Sequence, residues 1–128
     1  MTADLFQAAS KAMANCHAPY SKFPVGAAIR AKSGKIYAGC NIENAAYPEG
    51  WCAETSAISH MIVAGDTEIS EIVVVAEKMI KATPCGGCRQ RISEFATSKT
   101  KIHLCDSNGV LETVTLAELL PASFDLDD

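Results

Sequence analysis

Cys52, Glu54, Cys85 and Cys88 are the residues of this chain whose types and spacing point most directly to chemistry. Zn²⁺ binds thiolates readily, and a catalytic zinc site keeps three protein ligands with the fourth position open to water. Three cysteines fill that ligand set and leave the carboxylate of Glu54 beside it to carry protons. Cys85 and Cys88 are three apart, so in the first turn of a helix both thiolates lie on one face. Cys52 and Glu54 are two apart, and in a helix body they would sit roughly 200° of rotation from each other. Both reach one site only at a helix start, before the chain is fully wound. Pro84, just ahead of Cys85, is itself a helix-start signal. The partial positive charge of a helix N-terminus also favours thiolate over thiol.

These residues need two helices that start at the same end of the fold. Between Cys52 and Cys85 there is room for one helix, one strand and a return loop, which brings the second helix start back to the first. The helix from Cys52 ends at Gly65-Asp66 and carries Ala57, Ile58, Met61 and Ile62 on the side of Glu54. The carboxylate therefore heads an apolar face, where desolvation raises its pKa toward the range a neutral-pH proton shuttle needs. Residues 69–76 form a near-continuous β-branched run, which predicts a strand buried on both faces. Residues 78–83 connect back to the site, and a second helix over 85–95 turns Ile92, Phe95 and Ala96 to the core.

The remaining elements read as scaffold. A packing helix spans residues 2–15, with Leu5, Phe6, Ala9, Ala12 and Met13 at helical spacing. Residues 23–31 and 36–42 read as a strand pair turning at Gly34, with Gly26 marking a close backbone approach. Strands over 101–105 and 110–114 precede a short helix, 116–120, stopped by Pro121, and the acidic tail 125–128 reads as a solvated end. His17 reads as an exposed turn residue, His60 as structural and His103 as a sheet-face residue. Asn41 and Glu43 alternate on one side of the second strand's end, spaced to hold a sugar hydroxyl between an amide and a carboxylate. On the residues alone, a pair of this kind is usually a solvated strand end.

A chain of 128 residues with 48% hydrophobic content is expected to form one domain, residues 1–128, with its own core. The net charge of −4, with Lys and Arg scattered, argues against a nucleic-acid surface. Residues 1–6 carry no signal-peptide pattern, and the longest strongly apolar run, 72–76, is too short to span a bilayer. With nothing marking secretion, the expectation is a cytoplasmic protein without membrane association. Cys16, Cys40 and Cys105 are then free thiols rather than disulfide partners.

Four stretches carry a family resemblance: Tyr20-Ser21-Lys22-Phe23-Pro24-Val25-Gly26-Ala27-Ala28, Gly39-Cys40-Asn41-Ile42-Glu43-Asn44-Ala45-Ala46-Tyr47, Cys52-Ala53-Glu54 and Pro84-Cys85-Gly86-Gly87-Cys88-Arg89-Gln90. Leu119-Leu120-Pro121 extends it, so nearly the whole chain resembles the small homotetrameric cytidine deaminases with three cysteine zinc ligands. The resemblance implies a three-layer α/β/α sandwich around a five-stranded mixed sheet. It also implies one Zn²⁺ per chain and zinc-dependent hydrolytic deamination of cytidine and deoxycytidine to uridine and deoxyuridine, in pyrimidine salvage. Glu54 is the general acid and base of such deaminases and is not a ligand. By the same resemblance Phe23 packs on the nucleoside, Asn41 and Glu43 hold the ribose 3′-hydroxyl, and the Ala53 N–H meets the base carbonyl. Tyr47 joins the substrate site, and Phe124 is the aromatic that a neighbouring subunit lends to it.

The chain departs from the family at one position. Family members with three cysteine ligands commonly have Arg directly after the catalytic Glu, donating to the thiolates; here it is Thr55. Arg89 and the two helix ends are the expected sources of positive charge, with Thr55 adding a neutral hydrogen bond. Two other readings stay open at this point. One is a same-fold deaminase for another base or an aminonucleoside antibiotic. The other is a structural zinc module, with Cys40 as the best candidate for a fourth ligand.

Overall fold

The computed structural model describes residues 2–77 and 83–126. The expected connection over 78–83 therefore lies outside the described residues except at Thr83, and so do tail residues 127 and 128. In chain order the elements are α1 (Thr2–Met13), β1 (Val25–Ala31), β2 (Ile36–Cys40), α2 (Ala53–Val63), β3 (Ile69–Ala76), α3 (Gly86–Phe95), β4 (Lys101–Asp106), β5 (Gly109–Thr115) and α4 (Leu116–Leu119). A single 3₁₀ turn, Tyr47–Glu49, which the sequence did not announce, lies between β2 and α2.

The strands form one sheet in the order β2-β1-β3-β4-β5. Only β3 and β4 run parallel, joined across α3, and the other neighbours are antiparallel. The sheet is thus mixed, as expected. Its two faces bury separate cores. On one, Leu5, Ala9 and Met13 of α1 meet Ala28, Val73, Val75 and Cys105. On the other, Ala57, Ile58, Met61 and Ile92 of α2 and α3 meet Ala27, Ile29, Ile72, Val74, Ile102 and Leu104. Alternate residues of β3 serve alternate faces, which accounts for its unbroken apolar run. Burying each such side chain contributes about 1.5–3 kcal/mol, so the three layers are held chiefly through β3 and its neighbours.

Two glycines set how closely the helices sit on the sheet. A Cβ at Gly39 in β2 would lie 2.4 Å from the Ala57 nitrogen and 2.8 Å from the Ala53 oxygen. The backbone of α2 therefore rests directly on β2, which fixes where Cys52 and Glu54 stand. A Cβ at Gly26 would lie 2.1 Å from the Ala9 oxygen and 2.8 Å from the Met13 Cβ. The close neighbour at Gly26 is α1.

β1 begins at Val25 rather than 23. The Asn41 side chain takes over there, accepting from the Val25 N–H at 3.0 Å and donating to the Phe23 carbonyl at 2.8 Å. β2 likewise stops at Cys40, and Ile42 makes only isolated bridges to His17 and Trp51. His103 is buried in the sheet between Glu71, at 2.9 Å, and Thr113, at 2.8 Å. His60 Nδ1 lies 3.3 Å from the Ala38 carbonyl oxygen, and its ring meets Tyr37 edge-on.

Candidate active site

The site lies at the sheet end where β1 begins and β2 and β3 finish, marked by Val25, Cys40 and Ala76. Cys52 is the N-cap of α2 and Cys85 the N-cap of α3, both with extended backbone and neither with a side-chain bond to its own helix. An N-cap side chain normally accepts from the first turn's free N–H groups. Here both sulfurs turn toward each other instead, 3.7 Å apart. Cys88, fully buried in the first turn of α3, completes a triad whose ligand atoms all lie within 4.8 Å of one another.

This donor set fits zinc. Tetrahedral thiolates at Zn–S distances of about 2.3 Å lie about 3.8 Å apart, close to the Cys52–Cys85 separation. Among the described residues no fourth His, Cys, Asp or Glu joins the triad. Cys40 stays outside it, so the closed structural site has lost its best ligand. The hydrogen bond between Cys88 and Cys52 holds the Cys52 thiol below its ordinary range and pushes that of Cys88 above it.

Glu54 is the second residue of α2 and is 4% exposed. Burial pushes its pKa above the ordinary carboxylate range, partly offset by its own backbone N–H and the charge of Arg91. Desolvation disfavours the ionised form. Ala57, Ile58 and Met61 form the apolar face behind it, whereas Ile62, expected there, is 39% exposed. Ala53 precedes Glu54 at the first helical position, where an N–H has no partner within the helix.

Cys52, Ala53, Glu54 and Cys85 open onto a cleft of about 360 Å³ that Phe23, Asn41, Glu43, Tyr47 and Trp51 also line. That volume is within the range of small-molecule sites, about 300–1,000 Å³. A second hollow of about 310 Å³ adjoins it, sharing Glu43, Tyr47 and Gly50.

Residues 2–104 match the family described as the cytidine and deoxycytidylate deaminase zinc-binding region. The chain belongs to that family. It is 42% identical to a cytidine deaminase of Sporosarcina psychrophila, over 97% of this chain and 91% of that one. It is 38% identical to one of Halalkalibacterium halodurans, over 97% and 94%. The solved cytidine deaminase from Burkholderia pseudomallei superposes with a TM-score of 0.91 at 36% identity, covering 97% of this chain and 99% of that one.

Within this deaminase site, the residues expected to bind substrate divide into two groups. Phe23, Asn41, Glu43, Tyr47 and Ala53 share the cleft with Cys52 and Cys85. Glu43 also brackets the chain above it: Oε1 accepts from the N–H groups of Tyr20 and Ser21 at 3.0 and 3.1 Å, and Oε2 accepts from the Ser21 hydroxyl. The Ser21 bonds hold its pKa below the ordinary range. Asn41 and Glu43 are thus not a solvated strand end; they pin residues 20–25 over the cleft. Tyr47 is 74% exposed and leans on Tyr20, ring centroids 5.8 Å apart. Phe124, 70% exposed, lies away from this cleft, where its carbonyl accepts from Gln90 at 3.2 Å.

The expectation for Arg89 is corrected. Its guanidinium donates to the carbonyls of Pro84 at 2.7 Å and Leu119 at 2.9 Å, tying α3 to α4. The cation at the thiolates is Arg91, whose Nη1 is 3.1 Å from Thr55 Oγ1 and 3.8 Å from Cys88 Sγ. The sequence held a signal for it. Arg91 is three residues past Cys88, on the same face of α3, whereas Arg89 is rotated about 100° away.

Proposed function

We propose that this chain catalyses the zinc-dependent hydrolytic deamination of cytidine and deoxycytidine, releasing ammonia and leaving uridine and deoxyuridine. One observation carries the reading. Three sulfur ligands within 4.8 Å and one buried carboxylate converge from two helix starts on a cleft of nucleoside size. Cys52, Cys85 and Cys88 would hold one Zn²⁺, whose Lewis acidity would bring the pKa of water from 15.7 down to about 7.

The chain's own groups do the rest. Water adds to C4 of the base as Glu54 takes a proton from it and delivers that proton to N3. Glu54 then carries the second water proton to the departing amine, so ammonia leaves and a C4 carbonyl remains. Its buried setting suits this work, because a raised pKa lets one carboxyl both accept and return protons near neutrality. The Ala53 N–H donates to the base carbonyl, and Phe23 packs on the nucleoside. Asn41 and Glu43 hold the ribose 3′-hydroxyl with the bonding capacity left after they pin residues 20–25. Each of their side-chain atoms has more than one hydrogen-bond position.

Phe124 and Tyr47 complete the site in a homotetramer. The exposure of Phe124 on one chain, away from its own cleft, supports a part in a neighbour's site. A cytoplasmic place in pyrimidine salvage fits this chemistry; none of the described helices is long and apolar enough to cross a membrane. The test is a substrate panel. Purified protein incubated with cytidine, deoxycytidine, cytosine and adenosine should release ammonia from the first two only. Turnover of adenosine or of the free base instead would reassign the substrate.

A further inference from the structure

Three thiolates outweigh a divalent cation by one negative charge, and Glu54 lies beside them. Such a centre needs positive charge close by, yet the residue after Glu54 is a neutral threonine. Arg91, on α3, faces this position from across the site. An arginine side chain only donates hydrogen bonds, so Thr55 Oγ1 must accept the 3.1 Å bond from Arg91 Nη1. That leaves the hydroxyl proton of Thr55 for its other neighbour, Cys88 Sγ, at 3.5 Å. With zinc bound, Cys88 is a thiolate with no proton to offer, so the hydroxyl is then the donor. The guanidinium also reaches Cys88 Sγ itself, at 3.8 Å, a longer contact than either bond of the relay. Thr55 is 9% exposed and Cys88 fully buried, so water competes little for the final bond. A hydroxyl polarised by a cation donates more strongly than a neutral one.

We propose that Arg91, acting through the Thr55 hydroxyl, is the positioning residue that balances the thiolate charge of the metal centre and holds Cys88 in its ligating orientation. The role rests on the metal site proposed above and adds a residue pair to it. Arginine at position 91 with threonine at 55 replaces a single arginine at 55 by a two-residue relay. Groups that orient ligands in this way are worth about 10–100-fold in metal affinity or activity.

Zinc affinity, measured on the purified full chain by competition with a chromogenic chelator, tests the relay without any turnover assay. Arg91→Gln and Thr55→Val should each weaken zinc about 10–100-fold, and the double variant should be little worse than the weaker single one, because each change breaks the same path. Arg91→Lys should recover part of the loss. With cobalt(II) in place of zinc, the thiolate-to-cobalt charge-transfer band should shift in Arg91→Gln. A zinc-replete wild type matched in affinity by Arg91→Gln, or single losses that add in full, would overturn this role alone. A wild type that takes up no zinc would overturn the metal site and the relay together.

Discussion

At the scale of single residues, the site is built from side chains with two tasks. Glu43 is the clearest instance: its carboxylate pins Tyr20 and Ser21 above the cleft and, in the function proposed, holds a sugar hydroxyl. Hydrogen bonds to a charged group contribute about 1.5–3 kcal/mol, so Glu43→Gln should lower kcat/KM roughly ten- to a hundredfold. Steady-state kinetics with cytidine checks this, and unchanged constants would remove Glu43 from the substrate site. The sequence exposed the chemistry of these residues more readily than their partners. Cysteine spacing revealed the triad because its ligands sit at local offsets on two helix starts. The bracket made by Asn41 and Glu43 was hidden, since it joins positions 16–23 residues apart. Arg91 was legible in principle, by the same three-residue offset that pairs Cys85 with Cys88.

At the scale of elements, the position of α2 decides whether Cys52 and Glu54 meet the thiolates of α3. Gly39 sets that position, because any side chain there meets α2 backbone at 2.4 and 2.8 Å. Gly39→Ala forces α2 to shift, at a cost of about 1–3 kcal/mol for overpacking. It should lower zinc content and turnover along with stability. Gly26→Ala crowds α1 just as severely, yet α1 carries none of the site residues. Its cost should appear in the denaturation midpoint, with zinc per folded chain kept. Equal zinc loss in both variants would contradict this division. The periodic patterns gave most element boundaries to within two residues, since β-branched and amphipathic runs are local properties. The 3₁₀ turn and the late start of β1, at Val25, were not legible. The start of β1 depends on a side chain distant in sequence, since Asn41 accepts from the Val25 N–H, and the turn closes only through its own backbone bonds, Glu49 N–H to the Ala46 carbonyl and Gly50 N–H to the Tyr47 carbonyl.

At the scale of the whole molecule, a polar ladder crosses the sheet far from the site. Asp4 bonds Arg30, Arg30 bonds Glu71, and Glu71 bonds His103, linking α1, β1, β3 and β4 across separations of 26, 41 and 32 residues. Burial raises the pKa of Glu71, but the bonds from His103 and Arg30 outweigh it and hold the carboxyl below its ordinary 4.5. Its stabilising contribution is therefore present above about pH 4.5 and is lost as the pH falls through the lower folded value. Urea unfolding of Glu71→Gln should fall short of wild type by about 1.5–3 kcal/mol at pH 7, with the gap closing as the pH falls through the lowered folded pKa; a constant gap would contradict the sign. The burial of β3 on both faces was legible in its unbroken apolar run, and the three-layer architecture in the family resemblance, whereas the ladder depends on partners no local pattern joins. All these layers serve one claim, that a zinc centre and a separate proton carrier share the cleft. Zinc content and cytidine turnover measured on one preparation of Glu54→Gln test it most directly. Near-normal zinc is expected, with turnover reduced by at least about 10²–10⁴-fold, the usual worth of a positioned proton carrier; loss of zinc together with activity, or turnover intact with zinc in place, would contradict the division between zinc centre and proton carrier.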